Sequence, residues 1–323
     1  MTIDDLIKEL NKKSNLKITT LADDDSTPAE HSKLSTGCLP LDSILGGGLP
    51  VRRITEIFGE ESTGKSLIAA QVVATAQEQG YVVLYLDTES AVSKEIMAEV
   101  GVDVHSIMYS EPETIDGDKG VFQAMENAID REILTDRPLL IVWDTIAATS
   151  TVRELKEVYG KAMMGQHAQL ISQGLRKIRP KISRNNVTAL FVNQTKKKIG
   201  VMYGNDKTTF GGKAISYHSS VRIELIKEGN IIQNKRIVGT ENTATVIKSK
   251  VCVPFGSAVL PIYFGHGIDD ALASFEFLKT GGLLQQSGAW YEFEGNKFQR
   301  KNWSKVFDEN FDRIAEVILG EKS

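Results

Sequence analysis

Eight consecutive residues, Gly59-Glu60-Glu61-Ser62-Thr63-Gly64-Lys65-Ser66, constrain this chain more than any other stretch. They match GxxxxGK[ST] in full, with an apolar run before them and a helix-forming run after them. The glycines let the backbone curl so that its N–H groups converge on one point. The helix that follows turns its positive dipole end to the same point. Lys65 adds a full charge, and the Ser66 hydroxyl suits a divalent cation such as Mg2+. The chain must therefore contain a strand–loop–helix unit built around a nucleotide's phosphates, with all eight residues, Gly59 through Ser66, forming the cradle.

The rest of the sequence alternates apolar runs with helical stretches, as such a unit requires. Strands are expected at Arg53–Phe58, Tyr81–Leu86, Leu139–Trp143 and Val187–Asn193. Helices are expected at Lys65–Gln79, Gly120–Leu134 and Ala162–Ile182. Several of these strands are continuously apolar, the mark of a parallel sheet covered by helices on both faces. Past residue 219, Ser220–Lys227, Thr243–Ser249 and Val259–Phe264 read as β-segments joined by short turns, hence hairpins on the sheet edge. From about residue 270, two helical stretches around Gly288-Ala289-Trp290-Tyr291 form a small lobe. Leu6, Ile7 and Leu10 give a short amphipathic helix over residues 4–12, and the polar residues 15–35 read as a linker. The expected fold class is α/β: a mainly parallel sheet flanked by helices, with an N-terminal helix and a small C-terminal α/β lobe.

Composition narrows the setting. With 323 residues, 41% apolar and 25% charged, the chain is ordinary for a soluble globular protein and large enough to need no staples. Cys38 and Cys252 suggest neither a disulfide framework nor a zinc site. No apolar run approaches 18 residues, and the acidic start Met1-Thr2-Ile3-Asp4-Asp5 lacks the basic region of a secretory signal. A cytoplasmic setting is expected. The net charge of −4 conceals an asymmetry: Thr195 to Lys250 holds eleven Lys/Arg and four Asp/Glu, a balance of +7, so the remainder carries −11. A basic segment in an acidic chain suggests a polyanion site, although strands also carry solvated lysines.

Three further strand ends carry candidate chemistry. Asp144 closes the run Leu139–Trp143 and suits a metal-holding role beside the phosphate loop, or else caps a following helix. Asp87 and Glu89 both follow the strand ending at Leu86, and either can activate an attacking water. Asn193-Gln194 ends a fourth strand, where an amide can donate to a γ-phosphate. Beyond it, Thr195 to Lys213 is long, basic and glycine-rich, and long loops in compact domains are functional or disordered. Its lysines can neutralise phosphates, and Ile199, Tyr203 and Phe210 offer faces to unstacked bases.

Together these residues resemble the RecA family over roughly residues 37–300. The carriers are Gly59–Ser66, Leu86–Glu89, Leu140–Ala148, Asn193–Lys213, Lys248-Ser249-Lys250, Pro254-Phe255 and Gly288-Ala289-Trp290-Tyr291. The resemblance implies a RecA-like P-loop ATPase core that binds ATP and Mg2+, forms a helical filament on single-stranded DNA and exchanges strands with homologous duplex DNA, with no membrane partner. It implies an N-terminal oligomerisation helix and linker over 1–35, a core with DNA-binding loops over 36–269, and a small lobe over 270–323. Glu89 becomes the catalytic carboxylate, with Lys65 and Gln194 beside it and Ser66 and Asp144 on the metal. Gln194 couples the γ-phosphate to a DNA-binding loop whose contacts are Lys196, Lys197, Lys198, Ile199, Gly200, Thr209, Gly211, Gly212 and Lys213. Another DNA-binding loop lies near Glu154–Gly165, with Met164 and Gly165 at its end and Arg176 on the next helix. Lys248 and Lys250 reach the ATP of a neighbouring protomer.

The chain departs from the family pattern at several points. Gln169 replaces a basic residue, Ile96 an aromatic near the adenine, and Phe210 a threonine. The N-terminal linker is longer and more acidic, and the last lobe ends early without a strongly acidic tail. These differences bear on regulation and ligand detail, and they suggest a divergent member such as one carried by a bacteriophage; a gene in a chromosomal recombination locus would sink that idea. A hexameric helicase-like or KaiC-like ATPase is the alternative. It shares Lys65, Asp144 and an acid, but uses an arginine in trans where this chain offers Lys248 and Lys250. A non-enzymatic mediator is a further alternative, disfavoured by the complete set of Lys65, Ser66, Glu89 and Asp144.

Overall fold

Leu139, Leu140, Ile141, Val142 and Trp143 are all fully buried. A strand of this kind belongs in the interior of a sheet with helices on both faces, and the computed structural model of the chain contains that sheet. The structure describes Asp5, Lys8, Glu9 and Lys12, together with residues 32–90, 92–132, 137–157, 165–197 and 207–320. The chain divides into two compact units, 1–32 and 33–323. In the first, the four described residues are helical. The second contains everything that follows.

Its strands are β1 (Lys33–Leu34), β2 (Leu49–Pro50), β3 (Ile54–Gly59), β4 (Val82–Asp87), β5 (Ile107–Ser110), β6 (Leu139–Asp144), β7 (Val187–Lys197), β8 (Lys207–Thr209), β9 (Val221–Gln233), β10 (Arg236–Ser249), β11 (Ser257–Tyr263), β12 (Gly267–Ile268), β13 (Gln285–Ser287), β14 (Trp290–Phe293) and β15 (Asn296–Gln299). Its helices are α1 (Leu39–Ile44), α2 (Lys65–Glu78), α3 (Lys94–Glu99), α4 (Val121–Glu132), α5 (Val152–Lys156), α6 (Gln166–Arg184), α7 (Lys213–His218), α8 (Asp270–Thr280), α9 (Trp303–Glu309) and α10 (Phe311–Leu319). Among them no helix is long and apolar enough to cross a membrane.

The central sheet runs β12-β11-β10-β9-β3-β7-β6-β4-β5, with β8 paired to β7. From β9 to β5 every neighbour is parallel, and β10 to β12 add an antiparallel extension. Successive residues of β4 feed opposite cores. Val83 and Tyr85 pack with Ile68 and Val72 of α2, whereas Leu84 and Leu86 pack with Ile171 and Leu175 of α6. The alternation follows from the period-two geometry of a strand, and it explains why both faces are apolar.

Three elements exceed or escape the sequence reading. The hairpin strands β9 and β10 run for 13 and 14 residues, because Asn234 and Lys235 both adopt positive φ and close a tight two-residue turn between them. The short edge strand β5 holds only three apolar residues, Ile107, Met108 and Tyr109, none of them fully buried, and is absent from the sequence reading. The C-terminal lobe holds a three-stranded antiparallel sheet, β13-β14-β15, packed through Tyr291 and Phe298 against Phe275 of α8 and Trp303 of α9.

Candidate functional site

Parallel register brings the chemistry to one edge of the sheet. Gly59 of β3 stands opposite Gln194 of β7, and Asp87 of β4 opposite Asp144 of β6. These are carboxyl ends of parallel strands, where open α/β sheets bind ligands. The loop between β3 and α2 turns through positive φ at Ser62 (58°) and Gly64 (79°). Gly59 is required by close approach, since a Cβ there would lie 2.4 Å from the Leu225 carbonyl oxygen. Lys65 is buried, and its ammonium donates to the carbonyls of Glu60 at 2.6 Å and Gly59 at 3.3 Å. Burial lowers its pKa, opposed by Asp144, Glu89 and Glu61. The cation thus sits inside the loop with three carboxylates around it.

Asp144 is fully buried. Its Oδ2 accepts the Tyr85 hydroxyl at 2.8 Å, while its Oδ1 is buried without a hydrogen-bond partner. Burial pushes its pKa up to about 6; the Ser66 and Tyr85 hydroxyls hold it down, and Asp87 and Glu89 push it further up. The helix-cap alternative fails on geometry. The next element is a 3-10 turn, Ile146–Ala148, whose flanking residue is Thr145. Thr88 ties the two strand ends together: its N–H donates to the Asp144 carbonyl at 2.7 Å and its hydroxyl to the Thr145 carbonyl at 2.6 Å.

Asp87 and Glu89 have different surroundings. Asp87 is fully buried, with Oδ2 accepting the Tyr109 hydroxyl at 2.8 Å and Oδ1 accepting the Glu89 N–H at 3.1 Å. Glu89 is exposed, and its carboxylate accepts the Gln194 side-chain N–H at 3.3 Å. Of the two acids, Glu89 is therefore the one open to solvent. Ile96, expected near an adenine, lies on α3 partly buried against the core.

The residues suit a triphosphate with a divalent cation. The phosphate loop is a strained backbone cradle with a buried cation, and the orphaned Asp144 oxygen lies beside Ser66. Among the described residues no group of three His, Cys, Asp or Glu is arranged to hold a metal alone. A cation here would rely on one or two side chains and on phosphate oxygens, which is the manner of Mg2+.

The basic segment is less open than its composition suggests. Thr195, Lys196 and Lys197 pair antiparallel with Thr209, Thr208 and Lys207. The expected loop from Thr195 therefore begins and ends as a β-hairpin stem, favoured by its threonines. Lys196 is exposed, with its ammonium 4.6 Å from the centre of the partly buried Phe210 ring. Thr209 is buried. Gly211 and Gly212 both take positive φ, and a Cβ on Gly211 would lie 2.9 Å from Ile215. Lys213 opens α7 and is exposed. Lys198, Ile199, Gly200 and Tyr203 lie outside the described residues, as does Met164. Glu154, the expected start of the other DNA loop, closes a capping box with Thr151 at the head of α5. Gly165 precedes α6 at φ 88°, and Gln169 and Arg176 are exposed on that helix.

Lys248 folds onto the end of α7. Its ammonium donates to the carbonyls of Ser216, Tyr217 at 3.3 Å and Ser219 at 2.8 Å. Lys250 is exposed over the Tyr217 ring. Burial lowers the His218 pKa, and Arg179, Arg176, Lys250 and Lys248 lower it further. Arg176 and the two lysines thus share one positive patch, which their distance in sequence concealed.

Sequence reasoning missed two groups. Tyr85 and Tyr109 bond the site's carboxylates; the available signal was a tyrosine within an apolar strand, since a buried phenol seeks an acceptor. A buried network also runs from β3 to the hairpin. Asn193 Nδ2 donates to Glu56 Oε1 at 2.8 Å and to the Phe210 carbonyl at 3.0 Å, and Arg222 Nε donates to Glu56 Oε2 at 2.5 Å.

Comparison with known proteins agrees with this architecture. A family model described as the RecA N-terminal domain matches residues 1–269. Proteins named "Protein RecA" from Acinetobacter baumannii strains AYE, SDF and AB0057 are each 36% identical over 305 residues, which is 94% of this chain and 85% of the relative.

Proposed function

The chain belongs to the RecA family of DNA recombinases, and on that premise we propose that it hydrolyses ATP in response to single-stranded DNA. It assembles on that DNA as a helical filament of its own copies and pairs it with homologous duplex. Residues 36–269 form the ATPase core, residues 1–35 the oligomerisation segment and residues 270–323 the small lobe.

In this reading Lys65 and the backbone amides of Gly59, Glu60, Glu61, Ser62, Thr63, Gly64 and Ser66 hold the β- and γ-phosphates. Ser66 and Asp144 would hold Mg2+, which would supply charge neutralisation at the phosphates. Glu89 orients the attacking water and takes its proton. Gln194 links the γ-phosphate to the hairpin that it opens. Lys196, Lys197, Lys198 and Lys213 neutralise DNA phosphates, Thr209, Gly211 and Gly212 shape the path, and Ile199 and Gly200 meet the bases. Met164, Gly165 and Arg176 contribute from the other loop. Lys248 and Lys250 of one copy close on the ATP of the next, Lys248 releasing the carbonyls at the end of α7 and Lys250 leaving the Tyr217 ring.

The contact of Gln194 with Glu89 at 3.3 Å carries this reading. One side chain touches the acid at the nucleotide site and stands at the base of the basic hairpin. The test is ATP hydrolysis with and without single-stranded DNA, using Lys65→Ala as the blank. Strong stimulation that vanishes in the blank is expected; a rate indifferent to DNA would sink the coupling. No observation favours the helicase-like or KaiC-like alternative.

A further inference from the structure

Two phenols lie behind the carboxylates of the nucleotide site, on neighbouring parallel strands. Tyr85 of β4 stands opposite Tyr109 of β5, with ring centroids 6.2 Å apart and planes 12° from parallel. Tyr85 is fully buried, and Tyr109 is 39% exposed at the sheet edge. Each ring directs its hydroxyl at a different buried carboxylate, at 2.8 Å in both cases: Tyr85 at Asp144 Oδ2 and Tyr109 at Asp87 Oδ2. The remaining oxygens differ in use. Asp87 Oδ1 accepts the backbone N–H of Glu89, whereas Asp144 Oδ1 is buried with no hydrogen-bond partner.

We propose that Tyr85 and Tyr109 are positioning residues with separate tasks, Tyr85 turning Asp144 so that Oδ1 faces the cation, and Tyr109 holding, through Asp87, the backbone that carries Glu89. A buried carboxylate free to rotate exchanges its two oxygens. A donor fixed to one of them removes that freedom and pre-organises the other. The same logic applies one residue beyond β4. The Glu89 side chain is exposed and gains definition from its own N–H being anchored, and the anchor is itself pinned by Tyr109. Both phenols thus act one shell behind the groups that meet substrate, as supporting partners do around metal ligands.

A structural account of the phenols is simply that buried hydroxyls need acceptors. The two accounts differ in what removal of each hydroxyl does. Tyr85→Phe and Tyr109→Phe keep both rings, so the packing between the two strands is retained.

This inference rests on the nucleotide-hydrolysis reading, and the experiment separates the two. Binding of a fluorescent ATP analogue to the full-length chain is titrated with Mg2+, and steady-state hydrolysis is measured alongside thermal unfolding. Tyr85→Phe is expected to raise the half-saturating Mg2+ concentration about tenfold, the scale of losing one hydrogen bond to a charged group. Tyr109→Phe is expected to leave that titration and the KM for ATP unchanged while lowering kcat several-fold. If both variants titrate and turn over like the wild type, the proposal is overturned and the site reading stands. The same holds if they lose thermal stability without these changes, since that is the mark of packing alone. If the wild type itself binds no more nucleotide than Lys65→Ala, the site reading falls and takes this proposal with it.

Discussion

The Gln194 side-chain amide lies 3.3 Å from the Glu89 carboxylate, joining β7 to the residues just past β4. Two strands separate in sequence by a hundred residues thus meet at one hydrogen bond. Because β7 continues directly into the basic hairpin, a hairpin that shifted on binding DNA would move the amide relative to the acid. Gln194→Ala is expected to lower DNA-dependent ATP hydrolysis at least about tenfold, the scale of one lost hydrogen bond to a charged group, while nucleotide binding persists. Paired measurements of nucleotide affinity and DNA-stimulated rate check this; equal losses in both would point to a damaged pocket instead.

Below the site, Glu56 is fully buried and its ion pair with Arg222 is only 14% exposed on the arginine side. Removing one partner leaves an uncompensated buried charge, which costs more than the pair itself contributes. Arg222→Ala is expected to lower unfolding stability by about 3–5 kcal/mol. The guanidinium also sits 4.5 Å from the Phe58 ring centre, so some packing is lost as well. Urea unfolding of Arg222→Ala and of the double variant Glu56→Gln/Arg222→Met checks the cause. The double variant should recover much of the loss if the stranded charge is responsible.

The phosphate loop was legible because its chemistry is local: eight residues, one strand before and one helix after. Its neighbours were legible as strand ends, but their roles were not. Asp87 and Glu89 are equivalent by spacing and are separated by burial, which depends on Tyr109 arriving from another strand. Tyr85 showed by its place in an apolar strand that its hydroxyl needs an acceptor, but not which one, because Asp144 is 59 residues away. The basic segment read as a loop because lysines and glycines mask strand pattern, whereas the cross-strand partners of Thr195 and Lys196 decide it. Lys248 lies in the β-segment foreseen for it, yet the carbonyls it bonds at the end of α7 lie 29 to 32 residues earlier.

A carboxyl far from the site gives a pH dependence. Asp270 opens α8 and accepts the Leu39 N–H at 2.8 Å. Burial pushes its pKa up to about 6, with Asp42 and Asp269 adding to the rise against the Leu39 and Cys38 hydrogen bonds. In the unfolded chain the same group titrates near 3.9. Between these values the folded state binds more protons, so this group's contribution to stability grows as pH falls through about 6 and levels off below about 4. The Tm difference between wild type and Asp270→Asn should therefore shift in favour of the wild type as pH falls from 7 to 5. Calorimetry at several pH values checks it. A constant difference would mean that Asp270 titrates at its ordinary value.

Gly174 sets helix propensity against packing. It lies within the 19-residue helix α6, where alanine is favoured over glycine by about 1 kcal/mol. Propensity alone therefore makes Gly174→Ala stabilising. The space is already taken, however: a Cβ at Gly174 would lie 2.2 Å from Phe122 Cε2 and 2.3 Å from Cδ2. Retreat of Phe122 is blocked on one side, where its partly buried ring meets the fully buried Trp143 edge-on with centroids 5.7 Å apart. Overpacking of this kind costs about 1–3 kcal/mol, so the clash should outweigh the propensity gain. Gly174→Ala is expected to lower the urea midpoint with little change in the slope of the transition. Phe122→Leu in the same chain should restore part of it, because a smaller side chain vacates the volume that the new methyl needs. A midpoint above that of the wild type would mean that α4 and α6 separate freely enough for propensity to decide.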